Sequence, residues 1–228
     1  MRSVDPSEVT ICSPLWGDYW ERWGKPKWLP QMLALDPQPY EFLIIADKPI
    51  DGLSNRFRVV VEPGVNQDTW FSLAAKHMKT QLMIGCGLDD GMPVDSLKDL
   101  VFGGDITLGP LLGSDGKIYQ PTQQGWENIY EEEWFPLTGW ALWSLSLLER
   151  IKFREVACWS DWIYFLECRA AGIHLTFDTK VRSYYTHHTE QYSRNPAPHS
   201  FDDIALMKRL AKKGGIIPGT CWPPEVFE

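Results

Sequence analysis

An α/β fold, built on a mixed, mainly parallel sheet flanked by helices, is predicted by three observations. Short apolar runs rich in β-branched residues recur through the first part of the chain. A stretch with helical spacing separates two of them, which is the strand-helix-strand order of an α/β sheet. The last of these runs, residues 81–86, leads within a few residues to adjacent carboxylates and a glycine, as a buried strand does when it ends at a polar turn.

Residues 9–12 predict the first strand, Glu41–Ala46 the second and residues 58–61 the third. Asn66-Gln67-Asp68-Thr69 then offers a helix start, and Trp70, Phe71, Leu73, Ala74 and Met78 follow at near-helical spacing. Residues 81–86 complete the unit as the fourth strand. Beyond them Gly103, Gly104, Gly109, Gly113 and Gly116, with Pro110 and Pro121, mark a breaker-rich stretch, read as an ordered loop or short hairpins covering a site. Regular structure resumes with helices over 138–151 and 159–172, followed by strands over 173–177 and 181–185. Ser200 with Asp203 has the spacing of a capping box before an amphipathic helix over 204–213, which Gly214-Gly215 stops.

The chain has 228 residues, 44% of them hydrophobic, and no run approaches the ~20 apolar residues of a membrane-spanning helix. Thirty acidic against 22 basic side chains give a formal charge of −8, which argues against broad binding to a polyanion. The first residues, Met1-Arg2-Ser3-Val4-Asp5-Pro6, show no apolar signal region, so the expected location is cytoplasmic. Cys12, Cys86, Cys158, Cys168 and Cys221 lack metal-finger spacing and do not suggest a disulfide framework.

The chemistry concentrates at Gln81-Leu82-Met83-Ile84-Gly85-Cys86-Gly87-Leu88-Asp89-Asp90-Gly91-Met92-Pro93. A strand that delivers Asp89 and Asp90 to its carboxyl end presents fixed negative charge where a divalent cation could bridge to phosphate oxygens. Asp-Asp-Gly is also ordinary turn chemistry, with short carboxylates capping local amides. The 12 tryptophans are a second marked feature, and Trp126, Trp134, Trp140, Trp159 and Trp162 cluster in the second half. Aromatic faces suit the apolar faces of sugar rings, although most indoles bury for their area alone.

The order of motifs is what identifies a resemblance. An opening strand is followed by a second ending in Asp47, then a helix, a strand leading to Asp89-Asp90, Pro136-Leu137-Thr138-Gly139-Trp140, and Trp159-Ser160-Asp161-Trp162. Over about residues 8–195 this resembles the GT-A glycosyltransferases, especially the inverting family 2 type. The resemblance implies a single domain over 1–228, with a nucleotide-sugar half over 8–100, an acceptor and catalytic half over 101–195, and a C-terminal helix and tail over 196–228. It implies a nucleoside-diphosphate sugar as donor, a hydroxyl on a glycan, protein or modified nucleobase as acceptor, and Mn²⁺ or Mg²⁺ as cofactor. Asp89 and Asp90 take the place of the metal-binding turn, Asp89 also meeting the diphosphate, and Gly91 stands where many members have another acid. Asp47 occupies the position of the nucleobase-binding acid, and equally that of a turn residue before Pro49.

Gly139, Trp140 and Trp162 fall in the acceptor region of that family, and Asp161 falls at its catalytic base, with Ser160 replacing the usual glutamate. A base there would take the acceptor proton as the hydroxyl attacks the anomeric carbon; a carboxylate in the first turn of a helix also favours the helix dipole. After the last strand His187 or His188 fits a further metal ligand, one of the two because successive residues point to opposite faces. Arg194 could fork onto the diphosphate. Two other classes remain open, a noncatalytic carbohydrate-binding protein and a metal-dependent phosphoesterase using Asp89, Asp90, His187 and His188. The phosphoesterase would call for denser His/Asp motifs than the chain carries.

Overall fold

The computed structural model describes residues 1–66, 69–127, 140–153 and 160–187, together with the isolated helical positions Ala205, Lys208 and Arg209. In chain order the strands are β1 (Arg2–Val4), β2 (Val9–Leu15), β3 (Glu41–Ala46), β4 (Phe57–Val61), β5 (Leu82–Gly85), β6 (Leu100–Phe102), β7 (Ile106–Leu108), β8 (Leu111–Gly113), β9 (Ile118–Tyr119), β10 (Ala141–Ser144), β11 (Leu175–Phe177) and β12 (Ser183–Tyr185). The helices are α1 (Leu29–Ala34), α2 (Trp70–His77), α3 (Gln123–Glu127), α4 (Leu145–Arg150) and α5 (Ser160–Ala170), with a π-helical segment, Trp20–Trp28, running into α1.

Seven strands form the central sheet in the order β11-β7-β10-β5-β2-β3-β4. All run parallel except β10, which lies antiparallel between β5 and β7. Every residue of β2 and β3 is buried, because a parallel sheet covered on both faces needs near-continuous apolar strands. Their alternation divides the core: Leu43 and Ile45 join one side, Phe42, Ile44 and Ala46 the other. On the first side α2, α4 and α5 bring Trp70, Phe71, Leu147, Tyr164 and Phe165 against Trp143. Phe153 lies between Phe71 and Tyr164, its ring stacked at 4.0 Å on each. The second side is filled by Trp28 of the π-helical segment and Met32 of α1, and by Leu88, Met92 and Leu97 beyond β5. Each such large side chain contributes about 1.5–3 kcal/mol of transfer free energy.

Glycine and proline sit where the packing requires them. A Cβ at Gly85 would lie 2.7 Å from the Trp70 ring, so the end of β5 is open only to glycine. Pro14 lies on β2 beyond the last residue paired with β5, where a missing N–H breaks no ladder on that side. At the opposite end of the sheet Glu41 accepts from Arg58 at 2.9 and 3.1 Å, from the Lys79 amide at 3.0 Å and from Thr10 at 3.1 Å. Burial pushes this carboxyl up, yet the Arg58 and amide bonds outweigh it and hold Glu41 below the usual range.

The expected strands over 9–12, 41–46, 58–61 and 81–86 are all present as β2 to β5, and the intervening helix is α2. The expected helix over 138–151 is corrected. Ala141–Ser144 is a strand inserted between β5 and β7, and only Leu145–Arg150 is helical, with the Ser144 hydroxyl capping the Leu147 amide at 3.3 Å. A run buried on both faces carries no strand alternation, so periodicity alone cannot tell it from helix. The breaker-rich stretch is more regular than a loop. It supplies β7 to the central sheet, β6 to a two-stranded ribbon with β1, and the β8–β9 hairpin, to which β12 adds a third, parallel strand. The C-terminal helix over 204–213, with Ser200 and Gly214, lies largely outside the described residues. Among those described, no helix is long and apolar enough to cross a membrane.

Candidate active site

β5 ends at Gly85, and the Cys86 amide carries the parallel pairing one step further by donating to Cys12 at 2.9 Å. The chain then turns, with the Asp90 amide donating to Gly87 O at 3.2 Å. This turn folds both carboxylates back over Gly87: a Cβ there would lie 2.7 Å from Asp89 Oδ1 and 3.1 Å from Asp90 Oδ2. The absent side chain at Gly87 is what leaves the two acids a common space. Burial and then the adjacent Asp89 charge raise Asp90 to about 8. The two carboxylates converge as hard-oxygen donors, Asp90 keeping its proton at neutral pH until a cation displaces it, and such a pair could supply two of the ligands of a divalent cation.

Gly91 sits in a closely packed turn. Its amide donates to Tyr184 O at 3.0 Å and its carbonyl accepts from the Tyr184 amide at 2.8 Å, so the turn is paired to β12. A Cβ at Gly91 would stand 2.2 Å from Gln31 Oε1 of α1, so a side chain there would have to displace that amide. The chain beyond β12 stays close: the Thr186 amide donates to Asp90 Oδ1 at 3.2 Å. Lys27, at the end of the π-helical segment, donates from Nζ to both Asp89 O and Thr186 Oγ1, and its ammonium lies 5.6 Å from the Trp23 ring centre. An ammonium thus clips the acid turn to the C-terminal arm.

Asp47 stands at the end of β3, beside the end of β2, on the same carboxyl-terminal edge of the sheet. Its Oδ2 accepts from the Gly17 amide at 2.8 Å, while Oδ1 is buried without a partner among the described residues. Lys48 donates to Gly17 O at 2.6 Å, so the two loops are bound to each other. An acceptor oxygen left unpaired in such a crevice is the kind of group that a nucleobase N–H would satisfy.

Asp161 lies in the first turn of α5 and is partly buried. Trp162 follows it in that helix, and its side chain lies outside the described residues, as do Gly139, His188 and Arg194 entirely. Trp140 is a core residue: it is 1% exposed, packs against Gly109, and lies under the Arg182 guanidinium at 5.5 Å. Its indole face is therefore taken by the protein and is not open to an acceptor, which corrects the expected role. His187 is turned to the β8–β9 hairpin, with Nε2 3.9 Å from Asp115 Oδ1. Accordingly, among the described residues no group of three His, Cys, Asp or Glu side chains could hold a metal ion, and the structure brings together only Asp89 and Asp90 of the proposed ligands.

Arg182 was not singled out from the sequence. It is buried, and donates from Nε to Asp178 at 2.6 Å, from Nη1 to Ser96 O at 2.5 Å and Lys98 O at 2.8 Å, and from Nη2 to Asp99 O at 2.9 Å. Asp99 has φ 56°, a left-handed backbone, in the loop whose carbonyls ring this guanidinium. The segment just beyond the acid turn is thereby bound to the start of β12. A signal existed in Asp178 and Arg182, opposite charges four residues apart. Lys27 and Thr186 had none, because their contact joins positions far apart in the chain.

A mainly parallel sheet with one antiparallel insertion, helices on both faces and an acid turn at the carboxyl end of an inner strand is the GT-A fold of nucleotide-sugar glycosyltransferases. Among solved structures, the chain is similar to S. aureus TarS 1-349 in complex with UDP-GlcNAc, with a TM-score of 0.67 and 15% identity over 90% of this chain and 66% of that one. The same protein in complex with UDP matches with a TM-score of 0.64, 15% identity, and 90% and 65% coverage. A mannosyltransferase from Pyrobaculum calidifontis in complex with GDP-Man and Mn²⁺ matches with a TM-score of 0.51, 15% identity, and 92% and 63% coverage. The chain thus spans about two thirds of the length of these proteins, and the likeness is one of fold. No family model matches the sequence, and no curated protein does.

Proposed function

We propose that the protein is a metal-dependent inverting glycosyltransferase, moving a sugar from a nucleoside-diphosphate sugar to an acceptor hydroxyl by direct displacement. The observation that carries this reading is the convergence of the Asp89 and Asp90 carboxylates over Gly87, at the carboxyl edge of a GT-A sheet. The nucleoside-diphosphate ligands of the structural neighbours support it.

In this reading Asp47 and the Gly17 loop hold the nucleobase side of the donor, and Asp89 and Asp90 hold the diphosphate side. A divalent cation bound there would neutralise charge on the departing diphosphate. Lys27 keeps the acid turn and the arm at Thr186 in one arrangement. Asp161 takes the acceptor proton, with its position on a helix fixing the carboxylate relative to the sheet. Arg194 and His188, beyond the arm, would close over the diphosphate. The acceptor is a hydroxyl-bearing molecule, for which Trp162 and Gly139 are the contacts put forward.

Calorimetric titration of UDP and GDP with Mn²⁺, and again with EDTA, tests the proposal. Binding that strengthens with Mn²⁺ in the wild type and loses that gain in Asp90→Ala is expected. Equal affinity under all these conditions would reduce the pair to a turn. Release of nucleoside diphosphate from the bound donor separates an enzyme from a carbohydrate-binding protein, which would leave the donor intact.

A further inference from the structure

The β8–β9 hairpin carries a polar cluster that the proposed reaction has not used. Tyr119 OH donates to Asp115 Oδ2 at 2.7 Å, and the Lys117 amide donates to Asp115 Oδ1 at 3.1 Å. These bonds hold the Asp115 carboxyl below its usual range, so it stands ionised as an acceptor. Across from it, His187 Nε2 is buried and has no hydrogen-bond partner among the described residues, at 3.9 Å from Asp115 Oδ1. The imidazole is held edge-on by two tyrosines, with ring centres 4.9 Å from Tyr185 and 6.1 Å from Tyr119. Gly113 lets the three groups meet: a Cβ there would lie 2.4 Å from Asp115 Oδ1, 2.7 Å from the Tyr119 ring and 3.2 Å from His187 Nε2. An unpaired buried ring nitrogen beside an ionised carboxylate is a feature that a bound ligand would complete.

The position of the cluster narrows what that ligand is. Thr186 N donates to Asp90 Oδ1 at 3.2 Å, and the next amide, His187 N, donates to Ser114 Oγ at 3.0 Å. Ser114 N in turn donates to Tyr185 O at 2.9 Å. Adjacent residues of one arm therefore hold the acid turn on one side and the hairpin turn on the other, with Cα atoms about 3.8 Å apart. A group bound between Asp115 and His187 would lie across this single arm from whatever the acid pair binds.

We infer that Asp115, Tyr119 and His187 form a sugar-hydroxyl subsite beside the acid turn, which reads a vicinal diol of the hexose at the reaction centre. The inference rests on the donor reading above. A carboxylate that accepts and a ring nitrogen that donates complement two neighbouring hydroxyls, one giving and one receiving, and the flanking tyrosines offer apolar edges to the pyranose ring. Asp115 fixes the hydroxyl it accepts from, Tyr119 orients Asp115, and His187 supplies the second contact.

The same diol chemistry belongs to the transferred sugar of the donor and to a sugar acceptor, and two arms separate them. In the first, calorimetry with Mn²⁺ compares UDP with UDP-glucose and UDP-GlcNAc, and GDP with GDP-mannose, for wild type, Asp115→Asn, Tyr119→Phe and His187→Phe. If the donor sugar is read here, Asp115→Asn lowers the affinity gained from the sugar by about tenfold and leaves bare diphosphate affinity unchanged, with Tyr119→Phe falling between. In the second, saturation-transfer NMR follows methyl glycosides of glucose, N-acetylglucosamine and mannose in the presence of UDP and Mn²⁺. Loss of their signal in Asp115→Asn alone assigns the subsite to the acceptor sugar. Variants that leave both sugar responses at wild-type level, or a wild type that gains nothing from sugar in either arm, would overturn the inference. So would a fall in bare UDP affinity in His187→Phe, which would return that ring to the metal. A wild type that binds no nucleoside diphosphate would instead remove the donor reading, and the inference with it.

Discussion

Replacing Arg182 by methionine should be among the most damaging single changes in the described protein. The guanidinium is 1% exposed and its Nε, Nη1 and Nη2 nitrogens serve one carboxylate and three backbone carbonyls. Methionine fills much of the volume but donates nothing, so the Asp178 charge and the carbonyls of Ser96, Lys98 and Asp99 are left inside without this partner. Breaking a buried ion pair by deleting one member costs about 3–5 kcal/mol, and three stranded carbonyls act in the same direction. Asp178 still accepts from the Thr179 and Lys180 amides at 2.7 and 3.0 Å, which keeps the loss near the lower end of that range. For a chain of 228 residues each kcal/mol moves Tm by about 2–4 °C, so a fall of roughly 6–15 °C is expected. Urea unfolding of wild type, Arg182→Met and Arg182→Lys measures it. Lysine keeps a charge but not the fork, and should fall between the other two. A loss under about 1 kcal/mol in Arg182→Met would refute the claim that this guanidinium holds the 96–99 loop to β12.

Asp90→Asn should stabilise the ligand-free protein at pH 9 by about 1–3 kcal/mol and leave it unchanged near pH 4, as read by thermal melts. The folded carboxyl is raised to about 8 against about 3.9 when unfolded, so wild-type stability falls as pH climbs through that window, and the amide escapes the fall. Gly87→Ala should remove most of the Mn²⁺-dependent gain in nucleotide affinity, at least tenfold by calorimetry, because its Cβ enters the space both carboxylates share. Asp161→Asn should leave donor affinity in place and lower transfer by about 10²-fold or more; near-normal turnover per folded molecule would leave Asp161 a helix-terminal charge. Glu41→Gln should destabilise the protein at neutral pH by about 1–2 kcal/mol through its bonds to Arg58. That difference is present above about pH 4.3, where an unfolded glutamate titrates, and disappears as pH falls through the lower folded value.

What the sequence revealed follows from which signals are local. Strands β2 to β5 and helix α2 were legible because continuous apolar runs and a 3.6-residue stripe are written within a few residues of one another. So was the placing of Asp89 and Asp90 at a strand end, and of Asp47 at another. The sequence pattern of β10 does not separate strand from helix, because a strand buried on both faces has no polar side to mark its period. Aromatic richness does not say which face of a ring is covered, and at Trp140 Arg182 and Gly109 cover it. The contacts that order the site join Lys27 to Thr186, Gly91 to Tyr184, and Arg182 to the 96–99 loop, pairs set by tertiary packing that no local pattern encodes.

These long-range contacts also explain how an unfavourable pair of charges can persist. Asp89 and Asp90 repel one another over Gly87, and the turn that carries them has little reason of its own to keep them together. It is held from outside, by the Gly91–Tyr184 pairing, by Lys27 on Asp89 O and by Thr186 N on Asp90, while Arg182 secures the start of the same strand. Such external support lets a fold keep preorganised charge that isolated chemistry would disperse. The opposing charge is then supplied on binding, so a ligand that neutralises the pair stabilises the folded chain by RT ln(1 + [L]/Kd). The stabilisation from UDP with Mn²⁺ should therefore grow from pH 6 to pH 9, as Asp90 gives up its proton and the ligand-free fold weakens.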